Sequence, residues 1–242
     1  MAARATSKPK RRSASTKRNS ARQRTLTPTR VIELLDGEYG TLPWRPAGDP
    51  IAELVLTLLS QNTSDSNSGR AFIRLLSEFP DYESLLDADV KRIEKAIQPG
   101  GLAPTKAPRM QEMLREVWNR RGSFDLTFLK DMPLDEARAW LRSLPGVGPK
   151  TAACVLLFAL GMPALPVDTH VHRVAKRLGL VPEKSTPEQA FELLEPMLEP
   201  KQVYPFHIQL IKHGRRTCSA RKPKCGECPL ASECPSAEIG QS

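Results

Sequence analysis

The chain has no apolar run long enough to cross a bilayer. Its longest uncharged apolar stretch, Ala152–Val167, covers 16 residues and is broken by Gly161, Pro163 and Pro166, where a spanning helix needs about 20. It also lacks a charged-then-apolar leader, so a soluble, non-secreted protein is expected. The apolar–polar alternation of half-buried strands is absent, and so is any repeat at solenoid period. Residues 1–26 contain no Val, Ile or aromatic side chain, and residues 1–25 contain no acid.

That acid-free opening decides how the net charge of +9 is read. Nine of the 36 Lys and Arg residues lie in residues 1–25, leaving 27 basic residues against 27 acidic ones in the remainder. The excess charge belongs to the tail, and any nucleic-acid role for the body must rest on where its charges cluster. A segment that buries no surface cannot offset its ordering entropy, so residues 1–26 are expected to be a disordered basic tail. Such a tail can tether a polyanion or merely solubilise the protein.

The body is present in quantity and reads as helical. With 242 residues, 40% of them hydrophobic, there is material for one domain or two small ones. Ile51, Leu54, Val55, Leu58 and Leu59 repeat at helical spacing, as do Phe72, Leu75, Leu76 and Phe79, and Ala107, Met110, Leu114, Val117 and Trp118. Thr186-Pro187-Glu188-Gln189 is a capping box with proline at the first helical position. Residues 151–160 are apolar on every face, which predicts a helix buried all round. The fold class expected is all-α, with about ten helices.

Two segments carry chemistry. Leu144-Pro145-Gly146-Val147-Gly148-Pro149-Lys150 links a helix over 135–143 to the buried helix. Gly146 and Gly148 allow a sharp turn and close approach of another molecule. Pro149 starts the next helix, whose free backbone N–H groups suit a phosphate; the same residues would equally serve a plain helix–helix turn. The second segment is Cys218-x6-Cys225-x2-Cys228-x5-Cys234. One C-x-x-C and uneven spacing favour a cubane iron–sulfur cluster over zinc, and a disulfide framework does not suit a chain without a secretion signal. Lys212, Arg215, Arg216, Arg221, Lys222 and Lys224 surround these cysteines with no acid between Ile211 and Gly226. Held by a rigid loop, they would form a cationic surface for phosphates; unheld, they are a solvated charge run.

In this order and separation, these motifs resemble the endonuclease III family of DNA glycosylases, helix-hairpin-helix enzymes with a C-terminal [4Fe–4S] cluster. The matching stretches are LLSQNTSD (58–65), GGLAPTKA (100–107), LPGVGPKTAACVL (144–156), PVDTHVHRVAKRLG (166–179) and HGRRTCSARKPKCGECPLASEC (213–234), within residues 30–236. The resemblance implies two helical lobes, one of residues 51–165 ending in the hairpin motif and one of residues 27–50 and 166–236 carrying the cluster, with a short tail at 237–242. It implies Lys150 as nucleophile, Asp168 as its catalytic partner, Gln61 or Asn62 filling the space of an extruded nucleotide, Leu102 as an apolar wedge, and the four cysteines as cluster ligands. Gly146, Gly148, Arg215, Arg216, Arg221, Lys222 and Lys224 would contact DNA. Ala103-Pro104 stands where Tyr-Asn is commoner in the family, and Pro149 where Arg is.

The activity so implied is base excision from duplex DNA carrying damaged bases, oxidised pyrimidines above all, or abasic sites, followed by strand cleavage through β-elimination. The protein would act as a monomer without membrane contact, in a prokaryotic cytoplasm or a eukaryotic nucleus. A monofunctional or mismatch-directed relative is the rival among enzymes, though relatives that only excise bases typically lack lysine at the position of Lys150. A non-catalytic iron–sulfur DNA-binding protein would need neither Lys150 nor Asp168.

Overall fold

The computed structural model describes residues 26–46 and 48–237. Residues 1–25 of the expected tail and residues 238–242 lie outside the described residues. Leu26 is buried in the body, and the Ala237 N–H donates to the Cys234 carbonyl at 3.2 Å.

Among the described residues there is no strand. The α-helices are α1 (Pro28–Tyr39), α2 (Pro50–Leu59), α3 (Asp65–Glu78), α4 (Glu83–Leu86), α5 (Val90–Ile97), α6 (Ala103–Arg121), α7 (Leu134–Arg142), α8 (Pro149–Cys154), α9 (Thr169–Arg177), α10 (Pro187–Leu194) and α11 (Pro200–Arg216). Their starts follow local chemistry. Asp49 accepts from the Ile51 N–H at 2.8 Å and Ser64 from the Asn67 N–H at 3.3 Å, satisfying donors that a helix N-terminus leaves open. At α10 both bonds of the expected capping box form, Gln189 N–H to Thr186 Oγ1 and Thr186 N–H to Gln189 Oε1.

The apolar sets sort into two cores. One runs from Ile51 to Ala164 and includes α2, α3, α5, α6 and α7. The other joins Leu26, Val31 and Leu35 to Leu157 and to residues from Leu165 to Leu230, in α1, α9, α10 and α11. All five apolar residues of the α2 repeat are buried, whereas Leu76 of α3 is exposed.

The buried helix expected over 151–160 is not uniform. After Cys154 it widens into a π turn over Val155–Ala159. There the Leu160 N–H bonds to the Val155 carbonyl, five residues back, and the Trp44 indole N–H donates to the Leu157 carbonyl at 3.1 Å. A polar partner from a distant segment thus satisfies a carbonyl of the widened turn, a contact that apolar periodicity does not encode.

Candidate active site and cysteine centre

Lys150 and Asp168 come together. Lys150 is the second residue of α8, and Asp168 is the N-cap of α9. Both line a cavity of about 540 Å³, with Glu53 and Thr57 of α2, Cys154, Phe158, and His207, Lys212 and Arg215 of α11. The volume suits a nucleobase-sized ligand with room for water. Its walls come from α2, α3 and α8 on one side and from the start of α9 and α11 on the other.

Asp168 is oriented by its cap. Its Oδ1 accepts from the His170 and Val171 N–H groups at 2.9 and 2.7 Å, which fixes the carboxylate plane and leaves Oδ2 without a bonded partner among the described residues. At the hairpin, Gly146 sits at φ +74°, where a Cβ would strain the backbone. The Val147 N–H is taken by the Leu144 carbonyl at 3.2 Å.

Two of the residues expected to enter the duplex share an unusual conformation. Asn62 (φ 54°) and Leu102 (φ 52°) are the non-glycine residues with positive φ among the described residues. Each costs on the order of 1–3 kcal/mol, strain that functional sites hold. Leu102 is 55% exposed, so its apolar side chain is presented and not packed. Gln61 is half-buried beside Asn62. A residue the sequence did not single out joins the two loops: buried Lys106 donates from Nζ to the Leu59 carbonyl at 2.7 Å and the Gly100 carbonyl at 2.9 Å. Burial lowers its pKa, and the two carbonyls supply the partners a buried ammonium requires.

The basic run is less free than its sequence implies. Arg215 is paired with Asp65 at 2.7 Å, an acid from the start of α3, and Lys224 lies 3.8 Å from Glu227. Arg216 lies over the Tyr39 ring at 5.9 Å. Arg216, Arg221 and Lys222 are exposed.

Cys218, Cys225, Cys228 and Cys234 line one cavity with Arg177, His213 and Thr217. Burial pushes the Cys228 and Cys234 thiols up, and the neighbouring cysteines add to the effect, so the four thiolates need cationic charge among them. Among the described residues no three His, Cys, Asp or Glu side chains are grouped to hold a single ion. The four cysteines line one volume, and four cysteine thiolates are the donor set of a [4Fe–4S] cluster. Arg177 Nη1 donates to Cys218 Sγ at 3.2 Å, and His213 Nε2 lies 3.5 Å from Cys228 Sγ. The residues fit an iron–sulfur cluster. Cys154 lies apart from these four, in the other cavity, where burial pushes its thiol up to about 11; it is no ligand.

Sequence reasoning missed Glu53, Thr57 and His207. The available signal was a lone acid in the apolar helix PIAELVLTLL. His207 is buried, and its Nδ1–H donates to the Pro166 carbonyl at 2.8 Å. Burial pushes its pKa down to about 4, against the pull of Asp168 and the Pro166 carbonyl. An unfolded histidine titrates near ~6.5, so stability present above that pH is lost as pH falls toward 4, on the order of 3 kcal/mol in all. Unfolding free energy measured by urea titration should therefore drop across this window, and drop less in His207→Gln. Equal slopes in the two proteins would mean that His207 is not held neutral.

Comparisons with known proteins show the family. A family model described as HhH-GPD superfamily base excision DNA repair protein matches residues 55–200, and one described as the iron–sulfur binding domain of endonuclease III matches residues 218–234. The chain is 35% identical over 186 residues to endonuclease III of Thermotoga maritima, covering 77% of this chain and 83% of that one. It is 39% identical over 171 residues to the DNA glycosylase/AP lyase ROS1 of Arabidopsis thaliana, covering 64% of this chain but 12% of that one. A further Arabidopsis relative, 39% identical over 186 residues, is spanned over 64% of its length; the chain thus covers less than two thirds of these plant relatives. A solved structure of a trapped endonuclease III–DNA covalent intermediate superposes with a TM-score of 0.75 at 26% identity, covering 88% of this chain and 97% of that one.

Proposed function

Because the chain belongs to the HhH-GPD superfamily of base excision DNA repair proteins, we propose that it is a bifunctional DNA glycosylase/AP lyase that excises oxidised pyrimidines from duplex DNA. The observation that carries this reading is the meeting of Lys150 and Asp168 in one cavity large enough for an extruded base. A base inside a duplex is out of reach, so the nucleotide is flipped out. Exposed Leu102 wedges the stack, and Asn62, with Gln61 beside it, fills the vacated space. The strained conformations of Asn62 and Leu102, joined through Lys106, support this pre-organisation.

The Lys150 amine then bonds to C1′ as the base departs, giving a Schiff base with the opened sugar. Asp168, its plane fixed by the α9 cap, takes the proton released at nitrogen and stabilises positive charge developing at the sugar. Removal of a C2′ proton expels the 3′ phosphate by β-elimination. Gly146 and Gly148 bring the hairpin backbone against a phosphate, and the basic loop of Arg216, Arg221 and Lys222 adds charge. The iron–sulfur cluster shapes that loop, and no step of the reaction is assigned to it. The protein acts as a monomer, with the lobe of residues 51–165 and the lobe of residues 27–50 and 166–236 facing one another across the cavity. The test is borohydride trapping on a duplex with one abasic site: a covalent adduct and a β-elimination product are expected, and the absence of both would overturn the reading.

The basic tail gives a separate expectation. Deleting residues 1–25 removes nine Lys and Arg. Log affinity falls with log salt by about 0.9 per neutralised phosphate, and the loss is large between about 50 and 200 mM. If the tail lies along the duplex, truncation flattens the salt slope for undamaged DNA by several units and leaves single-turnover excision nearly unchanged. An unchanged slope would mean that the tail only solubilises the protein.

A further inference from the structure

Glu53 is the one charged residue of α2, and its helix turns it into the cavity that holds Lys150 and Asp168. It is half-buried, and its Oε1 accepts from the Thr57 hydroxyl at 3.0 Å, one turn further along α2. Its second oxygen has no bonded partner among the described residues, so it is free to meet a ligand in the cavity. A first-turn acid is common at helix starts, where it faces solvent and the helix dipole. Glu53 faces the reaction cavity instead. We propose that Glu53 contacts the extruded base and is the general acid that protonates it as it leaves, a role resting on the glycosylase/lyase reading above.

The balance of the step is simple. Lys150 Nζ, as the free amine, forms a bond to C1′ while the C1′–N bond to the base breaks and its electron pair goes to the base. The Glu53 proton passes to a ring nitrogen or carbonyl oxygen of that base, which departs neutral, and Glu53 is left as a carboxylate. The proton shed by the new C–N linkage goes to Asp168. Burial raises the Glu53 pKa, while the Thr57 hydroxyl and the Lys150 charge act against it. The other groups facing the cavity are Asp65 of α3, Cys154, Asp168, and His207, Lys212 and Arg215 of α11. Arg215 is neutralised by Asp65, and burial keeps His207 uncharged at neutral pH. The implied substrate class is a base that leaves poorly as an anion, since such a base gains most from a proton.

The distinguishing feature is that an abasic site has no base to protonate. Glu53→Gln should therefore lower single-turnover base release by about a hundredfold or more, the usual contribution of a general acid, while cleavage and borohydride trapping on a preformed abasic site stay within about threefold. The duplexes to use carry thymine glycol, 5-hydroxyuracil or a G·T mismatch, and the one excised fastest by the wild type serves for the variants. Wild-type base release should fall as pH rises through the Glu53 pKa, and that fall should vanish in Glu53→Gln. In Thr57→Val the acid remains but loses the hydroxyl that stabilises its carboxylate, so the fall moves to higher pH. Base release by Glu53→Gln within about threefold of wild type would overturn the proposal. So would an equal loss of base release and abasic cleavage, or a wild type that cleaves abasic sites and excises none of the three bases. Failure of the wild type on abasic DNA would instead sink the glycosylase/lyase reading itself.

Discussion

Lys150→Gln is expected to abolish borohydride-trapped protein–DNA adducts and to cut abasic-strand cleavage by at least about 10⁴-fold, the scale on which losing a covalent nucleophile is felt. Only a primary amine can form the Schiff base that borohydride reduces. Glutamine keeps a polar side chain of similar reach but has no amine. Duplex affinity should stay within about tenfold, because one phosphate-range contact is worth about 1 kcal/mol. The cavity holds a second lysine, Lys212 of α11, so Lys212→Gln is the needed companion. It should trap normally, because the carboxylate aligned by the α9 cap works with an amine at the start of α8. Trapping by Lys150→Gln at the wild-type yield, or its loss in Lys212→Gln alone, would move the nucleophile to Lys212.

Losing the iron–sulfur cluster should cost DNA binding more than any single basic substitution. Freshly purified protein is expected to carry iron and sulfide in near-equal amounts, and Cys228→Ser should lose both. Little else holds the loop. Leu230 is its one buried apolar anchor. The other ties are polar: hydrogen bonds from Arg173 and Arg177 to the Cys218, Ser219 and Ala220 carbonyls, contacts of Arg177 and His213 with the cysteine sulfurs, backbone bonds back to His213 and Thr217, and the Arg30–Glu233 pair at 2.9 Å. A surface pair of that kind is worth at most about 1 kcal/mol. Without the cluster the loop should lose protection in amide hydrogen exchange, and Arg221, Lys222 and Lys224 should lose their fixed positions. The salt slope for duplex binding should then fall by about two to three units. Stoichiometric zinc without sulfide in the wild type would instead indicate a structural zinc site. An unchanged salt slope in Cys228→Ser would show that the cluster does not shape the DNA-binding surface.

How much of this was legible in the sequence depends on whether the deciding contacts are local. The all-helical class followed from 3.6-residue periodicity and from caps such as Thr186 to Gln189, because a helix is closed by bonds among near neighbours. The cysteine spacing and the Gly146–Gly148 turn were equally readable, since both are defined within a few residues. The resemblance to a known family then supplied Lys150 and Asp168, which lie 18 positions apart and which neither periodicity nor spacing would have paired.

Tertiary structure alone decided the rest. Glu53 reads as an ordinary first-turn acid until α2 packs with its acid toward α8 and α11. Lys106 reads as a surface lysine until the loops ending at Leu59 and Gly100 converge on its ammonium. The basic run around the cysteines looks unopposed until Asp65, 150 residues away, reaches Arg215. The continuous helix over 151–160 gives way to a π turn beside the indole of Trp44. In each case the partner is remote in the chain, and for Lys106 and the π turn burial makes its presence decisive: a charge or carbonyl removed from water must be met by whatever group packing brings to it. Local sequence sets which elements form, and their packing sets which polar groups meet inside the cavity.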